Sequence, residues 1–397
     1  MLTATGCDPG VLSGILGDGL TLRGSDGDVV DEPNDEFAFA QVLTLNAFRE
    51  TSVSSAISPV GDVDLYDIGP VSPGDRIVVD VTTARNGRSG LDARFAMFDD
   101  RFRLIAWNDD RDFESGALDP RVDLIVRHES DRCYLGVSAV RGTGAYAMSV
   151  AYTPGRFAPD PRAQTVLLDF DGGQVTLPSQ GLHVVGAFDA ADIDPDLAGE
   201  TERMKAVILA TVAENFDGLD LRVRNTDDDV EPVSGTFSRV LFGGFSSQSF
   251  GASQAVDVYN AVDDDDSIIY TEVFTPEIFL AATESRAPHR AIADVAAPPC
   301  FPARIRLQRL ILGFGSTGTV TVDDIARAIG NVASHEIGHL LGLSHVADPD
   351  FIMDTIGASI TLVRDQEFGE APLDESIFPV GVQDSHLLLT ETVGTTE

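Results

Sequence analysis

The sequence predicts a multidomain chain in which an all-β sandwich precedes an α/β half, and three observations carry that prediction. Residues 37–152 set short alternating apolar runs between turn residues, at the spacing of about 8–12 that marks antiparallel sandwiches. A proline-rich stretch follows. Residues 165–341 then mix apolar strands with two helical patterns. A length of 397 residues agrees, because one hydrophobic core stops growing near about 250–300 residues.

Composition narrows the function classes. There are 27 basic and 64 acidic side chains, a formal charge of −37, yet 43% of residues are hydrophobic and 22 are Phe. Such a chain buries real cores, so its acidity sits on folded surfaces. Lys205 is the single lysine. Arginine supplies the other cations, and no basic stripe exists that could neutralise a phosphate backbone, which argues against nucleic-acid binding. No apolar run approaches the roughly 20 residues of a transmembrane segment. Cys7, Cys133 and Cys300 are too few and too far apart for a disulfide framework or a cysteine metal cluster, and a Cys133–Cys300 bridge has no support. Oligomeric state is not encoded in any pattern here.

Residues 1–31 read as a flexible acidic leader, with Gly17-Asp18-Gly19 and Ser25-Asp26-Gly27-Asp28. Thr5-Gly6-Cys7 resembles the end of a bacterial lipoprotein signal, which would make the protein secreted or anchored at the cell envelope through Cys7. The alternative is an incidental thiol in a disordered start.

Residues 32–152 hold the strand-like runs 75–81, 93–98, 122–126, 133–137 and 145–150. Their landmarks are Glu32-Pro33-Asn34-Asp35, Gly61-Asp62-Val63-Asp64-Leu65-Tyr66, Pro73-Gly74-Asp75 and Tyr134-Leu135-Gly136-Val137 before Gly144-Ala145-Tyr146. In that order they resemble the bacterial pre-peptidase C-terminal domain, which implies a jelly-roll-like sandwich. That domain usually follows a peptidase, whereas here it precedes the rest of the chain. Residues 153–162 contain Pro154, Pro159 and Pro161 and read as an extended linker, because proline removes a donor and restricts its predecessor.

Residues 163–397 open with an apolar strand at 165–170. A helix is predicted over 200–216, from Met204, Val207, Ile208, Thr211, Val212 and Asn215, with strands at 220–224, 238–242 and 267–274. A long helix is predicted over 323–341, stopped by Gly342, and a last helical pattern lies within 374–394.

The chemistry is concentrated at the end of the long helix, in His335-Glu336-Ile337-Gly338-His339-Leu340-Leu341-Gly342-Leu343-Ser344-His345. His335 and His339, four apart, leave one helix face and can meet at one metal. Glu336 can reach a water held there. Gly342 ends the helix in the left-handed conformation, and the chain turns back to deliver His345 as third ligand. Three neutral imidazoles with an open fourth position describe a catalytic zinc site rather than a structural one. Surface histidines on an amphipathic helix are the plain alternative.

This His-Glu-x-x-His-x-x-Gly-x-x-His pattern resembles that of the metzincin zinc metalloproteases, with a spacing to Met353 similar to the matrixins. The resemblance implies an α+β catalytic domain, zinc held by His335, His339 and His345, Glu336 as catalytic general base, and Met353 on a Met-turn beneath the metal. It also implies an edge strand that pairs with extended substrate, for which 267–274 is the candidate, an internal sheet strand being the alternative reading of that segment. The tyrosine ligand of some relatives is replaced by Thr355. The implied activity is a zinc endopeptidase, a hydrolase of peptide bonds acting on extracellular proteins: zinc lowers the pKa of its water toward about 7, and Glu336 takes the proton and passes it to the leaving amine. The rival class is a catalytically inactive metzincin-like binding or adhesion protein that uses the sandwich.

The acidic runs 227–229 and 263–266 could hold structural Ca2+ or serve as solvated turns. His128, His183, His289 and His386 lack ligand spacing. Cys300 lies outside the context of an inhibitory zinc-binding thiol.

Overall fold

The computed structural model describes residues 33–396 apart from 85–89, 113–114, 156, 179, 229–236, 277, 279–319 and 356–358. The acidic leader with Cys7, and also Asp229, His289 and Cys300, lie outside the described residues. The chain is mostly β-sheet with few helices, and its strands form several separate sheets.

Nine strands make the first half: β1 (Gln41–Val42), β2 (Glu50–Ile57), β3 (Asp64–Asp67), β4 (Arg76–Thr83), β5 (Asp92–Phe98), β6 (Leu104–Asn108), β7 (Arg121–Ile125), β8 (Tyr134–Arg141) and β9 (Gly144–Thr153). They form a five-stranded sheet in the order β1-β3-β8-β5-β6 and a four-stranded sheet in the order β2-β9-β4-β7. Period two explains the layers. In β2, Val53, Ser55 and Ile57 point inward while their neighbours stay half-exposed. Val53, Ile77, Phe95, Leu135 and Met148 from both sheets fill one core, and Cys133 is a free thiol buried within it. A Tyr66–Tyr146 hydroxyl contact of 2.7 Å bridges the sheets, and Tyr146 donates to Asp64, so the polar groups inside are paired.

The second half begins with β10 (Gln164–Asp169), a hairpin of β11 (Gly173–Leu177) and β12 (Gly181–Val185), a single turn α1 (Ala190–Ile193) and α2 (Thr201–Asn215). Then come β13 (Leu221–Asn225), β14 (Ser238–Phe242), β15 (Gly251–Ser253), β16 (Asp266–Ile269) and the long helix α3 (Val322–Leu340). The sheet order is β13-β10-β14-β16-β15, parallel except for β15. Helices α2 and α3 approach so closely that a Cβ on Gly330 would lie 2.7 Å from Thr211 Cβ. Asn215 Nδ2 donates to Asn331 and Ser334 at 3.1 and 2.9 Å.

One expectation is corrected. The segment 267–274 is not an edge strand: β16 lies between β14 and β15, and Thr271–Val273 form a 3-10 turn. The edge belongs to β15, Gly-Ala-Ser, whose small residues carry little strand propensity.

A hairpin of β17 (Glu370–Pro372) and β18 (Val382–Asp384) precedes α4 (Ser385–Val393), so the closing helix is shorter than the pattern over 374–394. Between the two strands, Leu373, Ile377 and Phe378 insert into a cluster with Val63, Leu65, Phe98, Leu104 and Tyr134 of the sandwich. Phe378 lies against Gly136, where a Cβ would come within 2.8 Å of its ring, and Val382 N–H donates to Phe102 O at 3.0 Å. The linker is itself tied down: Gly155 N–H donates to Asp75 at 2.9 Å, and Arg162 N–H donates to Thr392 O at 2.9 Å. The sandwich therefore shares a core with the second half instead of trailing on a spacer.

His128 locks the same junction, with Nδ1 2.7 Å from Glu391 of α4 and Nε2 3.4 Å from the buried Asp99. Burial disfavours its charge, but the two carboxylates outweigh burial and push its pKa up to about 9 from 6.5. A raised folded-state pKa means that the folded chain binds the extra proton. This stabilisation is complete below about pH 6.5 and disappears as pH rises through about 9. Urea midpoints of the full chain measured from pH 6 to 10 should fall across that window. In His128→Gln, which cannot take up the proton, the midpoint should be lower at pH 6 and the extra slope absent; equal slopes in both proteins would contradict the assignment.

Candidate metal centre

Helix α3 is placed by both its ends. Thr321 and Asp324 form a reciprocal capping box, with Asp323 and Asp324 acidic in the first turn, where the helix dipole favours them. The other end stops at Gly342, whose φ of 95° lies in the left-handed region. Leu343 N–H donates to Gly338 O at 2.8 Å and Gly342 N–H to His339 O at 3.0 Å. Asp257 N–H closes the same carbonyl from outside, at 2.9 Å. A Cβ on Gly342 would lie 2.9 Å from Val258 Cα and 3.0 Å from Asp257 O, so the close approach needs glycine as much as the turn does.

This reversal brings the three imidazoles together. His339 Nε2 is 3.1 Å from His335 Nε2 and 3.0 Å from His345 Nε2. Among the described residues, this is the group of three or more His, Cys, Asp or Glu whose ligating atoms gather within 4.8 Å of one another. His335 Nδ1 lies 2.7 Å from Ile352 O and His339 Nδ1 2.8 Å from Leu343 O. A carbonyl only accepts, so each Nδ1 carries the proton and each Nε2 points its lone pair inward. Lone pairs converging at such distances repel unless a cation lies among them, and two zinc–imidazole bonds of about 2.0–2.1 Å span such a gap. The trio is thus suited to zinc.

Burial keeps these rings neutral. It lowers the pKa of His335 and His339, and it drives His345 down to about 3 with help from the neighbouring His335. Neutral imidazole is the ligating form. Glu336 is 5% exposed, and burial pushes its carboxyl up to about 7 despite the 2.6 Å hydrogen bond it accepts from Ser253 Oγ. A cation among the imidazoles would pull that value back down.

Met353 is buried beneath the helix: a Cβ on Gly338 would lie 2.6 Å from its sulfur. It sits on a tight turn in which Val346 N–H donates to Met353 O at 2.9 Å and Asp354 N–H to Phe351 O at 3.2 Å. Thr355 Oγ1 donates to Asp374 at 3.0 Å, and Asp374 N–H donates to His345 O at 3.1 Å. All six residues singled out in the motif and the turn, His335, Glu336, His339, Gly342, His345 and Met353, therefore lie in one neighbourhood.

Sequence reasoning missed the supports. Ser253 on β15 holds Glu336, and Gly251 beside it admits the carboxylate, since a Cβ there would lie 2.6 Å from Glu336 Oε1. Gln383 exchanges hydrogen bonds of 2.7 and 2.8 Å with the backbone of Ser344. Neither has a spacing signal, because both reach the site from distant segments. In the acidic run 263–266, Asp263 faces Arg162, Asp265 accepts from Ser238, and Asp266 pairs with Arg239.

The imidazoles and Glu336 open into a cleft of about 650 Å³, lined also by Phe250, Ala252, Phe351, Leu362 and, from the sandwich, Trp107.

No family profile matches this chain, and no curated protein matches it. Among solved structures it is similar to the pre-peptidase C-terminal domain of a collagenase from Bacillus anthracis, 18% identical over 28% of this chain and 93% of that one, with a TM-score of 0.22. It is also similar to a zinc-dependent peptidase from Methanocorpusculum labreanum, 12% identical over 51% of this chain and 93% of that one, with a TM-score of 0.22. A xylanase from Cellvibrio japonicus is 15% identical over 30% of this chain and 27% of that one, with a TM-score of 0.20. Likeness at this level carries no argument about activity.

Gly342→Ala tests the geometric reading. The added methyl meets backbone in a strained conformation, at a cost of about 1–3 kcal/mol. Urea unfolding should show that loss, and zinc titration against a chelator should show weakened binding; unchanged stability and affinity would refute it.

Proposed function

We propose that this protein is a zinc-dependent endopeptidase of metzincin type, with catalysis in residues 163–397 and the sandwich of residues 32–152 in front. The observation that carries the proposal is the buried Glu336 carboxyl, one residue along from three converging imidazole nitrogens and fixed by Ser253. His335, His339 and His345 would hold the metal. Zinc there supplies a Lewis acid that polarises a carbonyl and makes water acidic near neutral pH.

The remaining work falls to the chain's own groups. Glu336 accepts the proton of the attacking water and returns it to the leaving amine; its buried carboxyl keeps the proton available for the second step. Ser253 orients that carboxylate. The backbone of β15, the last strand of its sheet among the described residues and lining the cleft, can take an extended peptide as an added strand. Met353 under the helix supports the floor. The substrates would be extracellular proteins, met by a secreted or envelope-bound enzyme.

Glu336→Ala should leave zinc content unchanged and lower peptide hydrolysis by about 10²–10⁴-fold, the usual worth of a general acid–base group. Metal analysis paired with a peptide-library digest reads both quantities. Zinc-loaded wild type that cleaves nothing faster than the variant would end the enzymatic reading and favour a binding role.

A further inference from the structure

We propose that the N-terminal sandwich completes the substrate cleft, with Trp107 as a specificity-determining wall that receives a bulky apolar side chain of the bound peptide. This rests on reading the cleft as a peptidase site. Trp107 lies on β6, an edge strand of the five-stranded sheet, yet it lines the same cleft as His335, Glu336 and His345. Its indole N–H donates to Ser344 Oγ at 2.7 Å, and Ser344 is buried immediately before His345. The ring's only polar atom is therefore committed to the protein. What remains for a ligand is apolar ring surface.

The ring is also preorganised. An indole has two side-chain torsions, and its N–H anchor together with packing on the junction core removes most of the freedom that a ligand would otherwise have to freeze. Ile377, from the segment docked onto the sandwich, lines the cleft as well, and Val256, Phe351 and Leu362 complete its apolar lining. A charged side chain placed against the indole face and these apolar groups would lose water there. A leucine or phenylalanine side chain would bury apolar surface against them. The shared core explains why the sandwich can do this: a domain on a free linker could not hold a wall in register with the imidazoles.

The chain has one tryptophan, so its emission reports this wall alone. The full-length Glu336→Ala chain, zinc-loaded, is titrated with blocked hexapeptides carrying a single Leu or Phe in an alanine background, and with the all-alanine hexapeptide. The Leu and Phe peptides should shift the emission saturably, and the all-alanine peptide should need much higher concentration. In parallel, a peptide library is digested by wild type, Trp107→Ala and Trp107→Phe. The preference for a bulky residue over alanine at one subsite should drop about 10- to 200-fold in Trp107→Ala, the range for a lost apolar contact, and should largely survive in Trp107→Phe. Emission unmoved by every peptide, or a wild-type cleavage profile in Trp107→Ala, overturns the proposal. If Trp107→Ala does not fold, the titration decides unaided, since it needs no change at position 107. Peptides that shift the emission but are cleaved no faster by wild type than by Glu336→Ala would sink the peptidase reading while leaving the wall in place.

Discussion

The reversal of the chain at Gly342 is the constraint on which the site depends. Helix geometry alone sets His335 and His339 on one face, but a third imidazole four or more residues past the helix end must be folded back. That requires a left-handed residue with no side chain, because Val258 and Asp257 occupy the space where a Cβ would be. The loop that crowds Gly342 also closes the carbonyl of His339 through Asp257 N–H. Helix end and turn are thus held by one set of backbone contacts. The consequence is a cluster of neutral imidazoles whose inward nitrogens converge, with the outward nitrogens of His335 and His339 spent on carbonyls.

The second dependency runs through the junction. The segment after Met353 meets the sandwich through Ile377 and Phe378, and Gln383 on the same segment grips the backbone of Ser344. Ser344 in turn accepts from Trp107. The residue next to His345 is therefore held from two directions, once by the second half and once by the sandwich. Packing of this kind transmits position because buried side chains sit in single rotamers with few voids. A site assembled from both halves is a different object from a catalytic domain with an accessory module.

How far the sequence was legible follows from the range of each interaction. The motif from His335 to His345 is local, so helix periodicity and a stop glycine suffice to place it, and α3 runs from Val322 to Leu340 much as its pattern indicates. The sandwich strands are legible for the same reason: period two is written within each run. The edge strand is not. Gly251-Ala252-Ser253 has neither apolar alternation nor β-branching, and its strand character comes from pairing with β16, so the more apolar 267–274 attracts the assignment instead. Ser253, Gln383 and Trp107 lie in other segments from the motif, and no spacing rule connects them to it. The proline-rich linker reads as extended, but sequence gives no sign that its backbone is pinned to Asp75 and Thr392.

The charge imbalance also takes a structural meaning. With 64 acids and 27 bases, cations are the scarcer partner, and several of those in the described residues meet a carboxylate through two hydrogen bonds. Arg76 pairs with Asp123 through two hydrogen bonds of 2.7 and 2.6 Å, Arg203 with Asp323 at 2.8 and 3.0 Å, and Arg239 with Asp266 at 3.0 and 2.7 Å. A guanidinium presents a planar fork that fits a carboxylate bidentately, which the point charge of an ammonium cannot do. Arg203 and Arg239 also join separate elements, α2 to α3 and β14 to β16. Exposed pairs such as Arg76–Asp123 and Arg203–Asp323 contribute little energy each, but their two-point geometry fixes relative orientation. The exposed carboxylates set up a negative field that repels polyanions and weakens as salt screens it. The field is a property of the surface; the cleft is lined by the three imidazoles, by Glu336 and Asp354, and by apolar side chains.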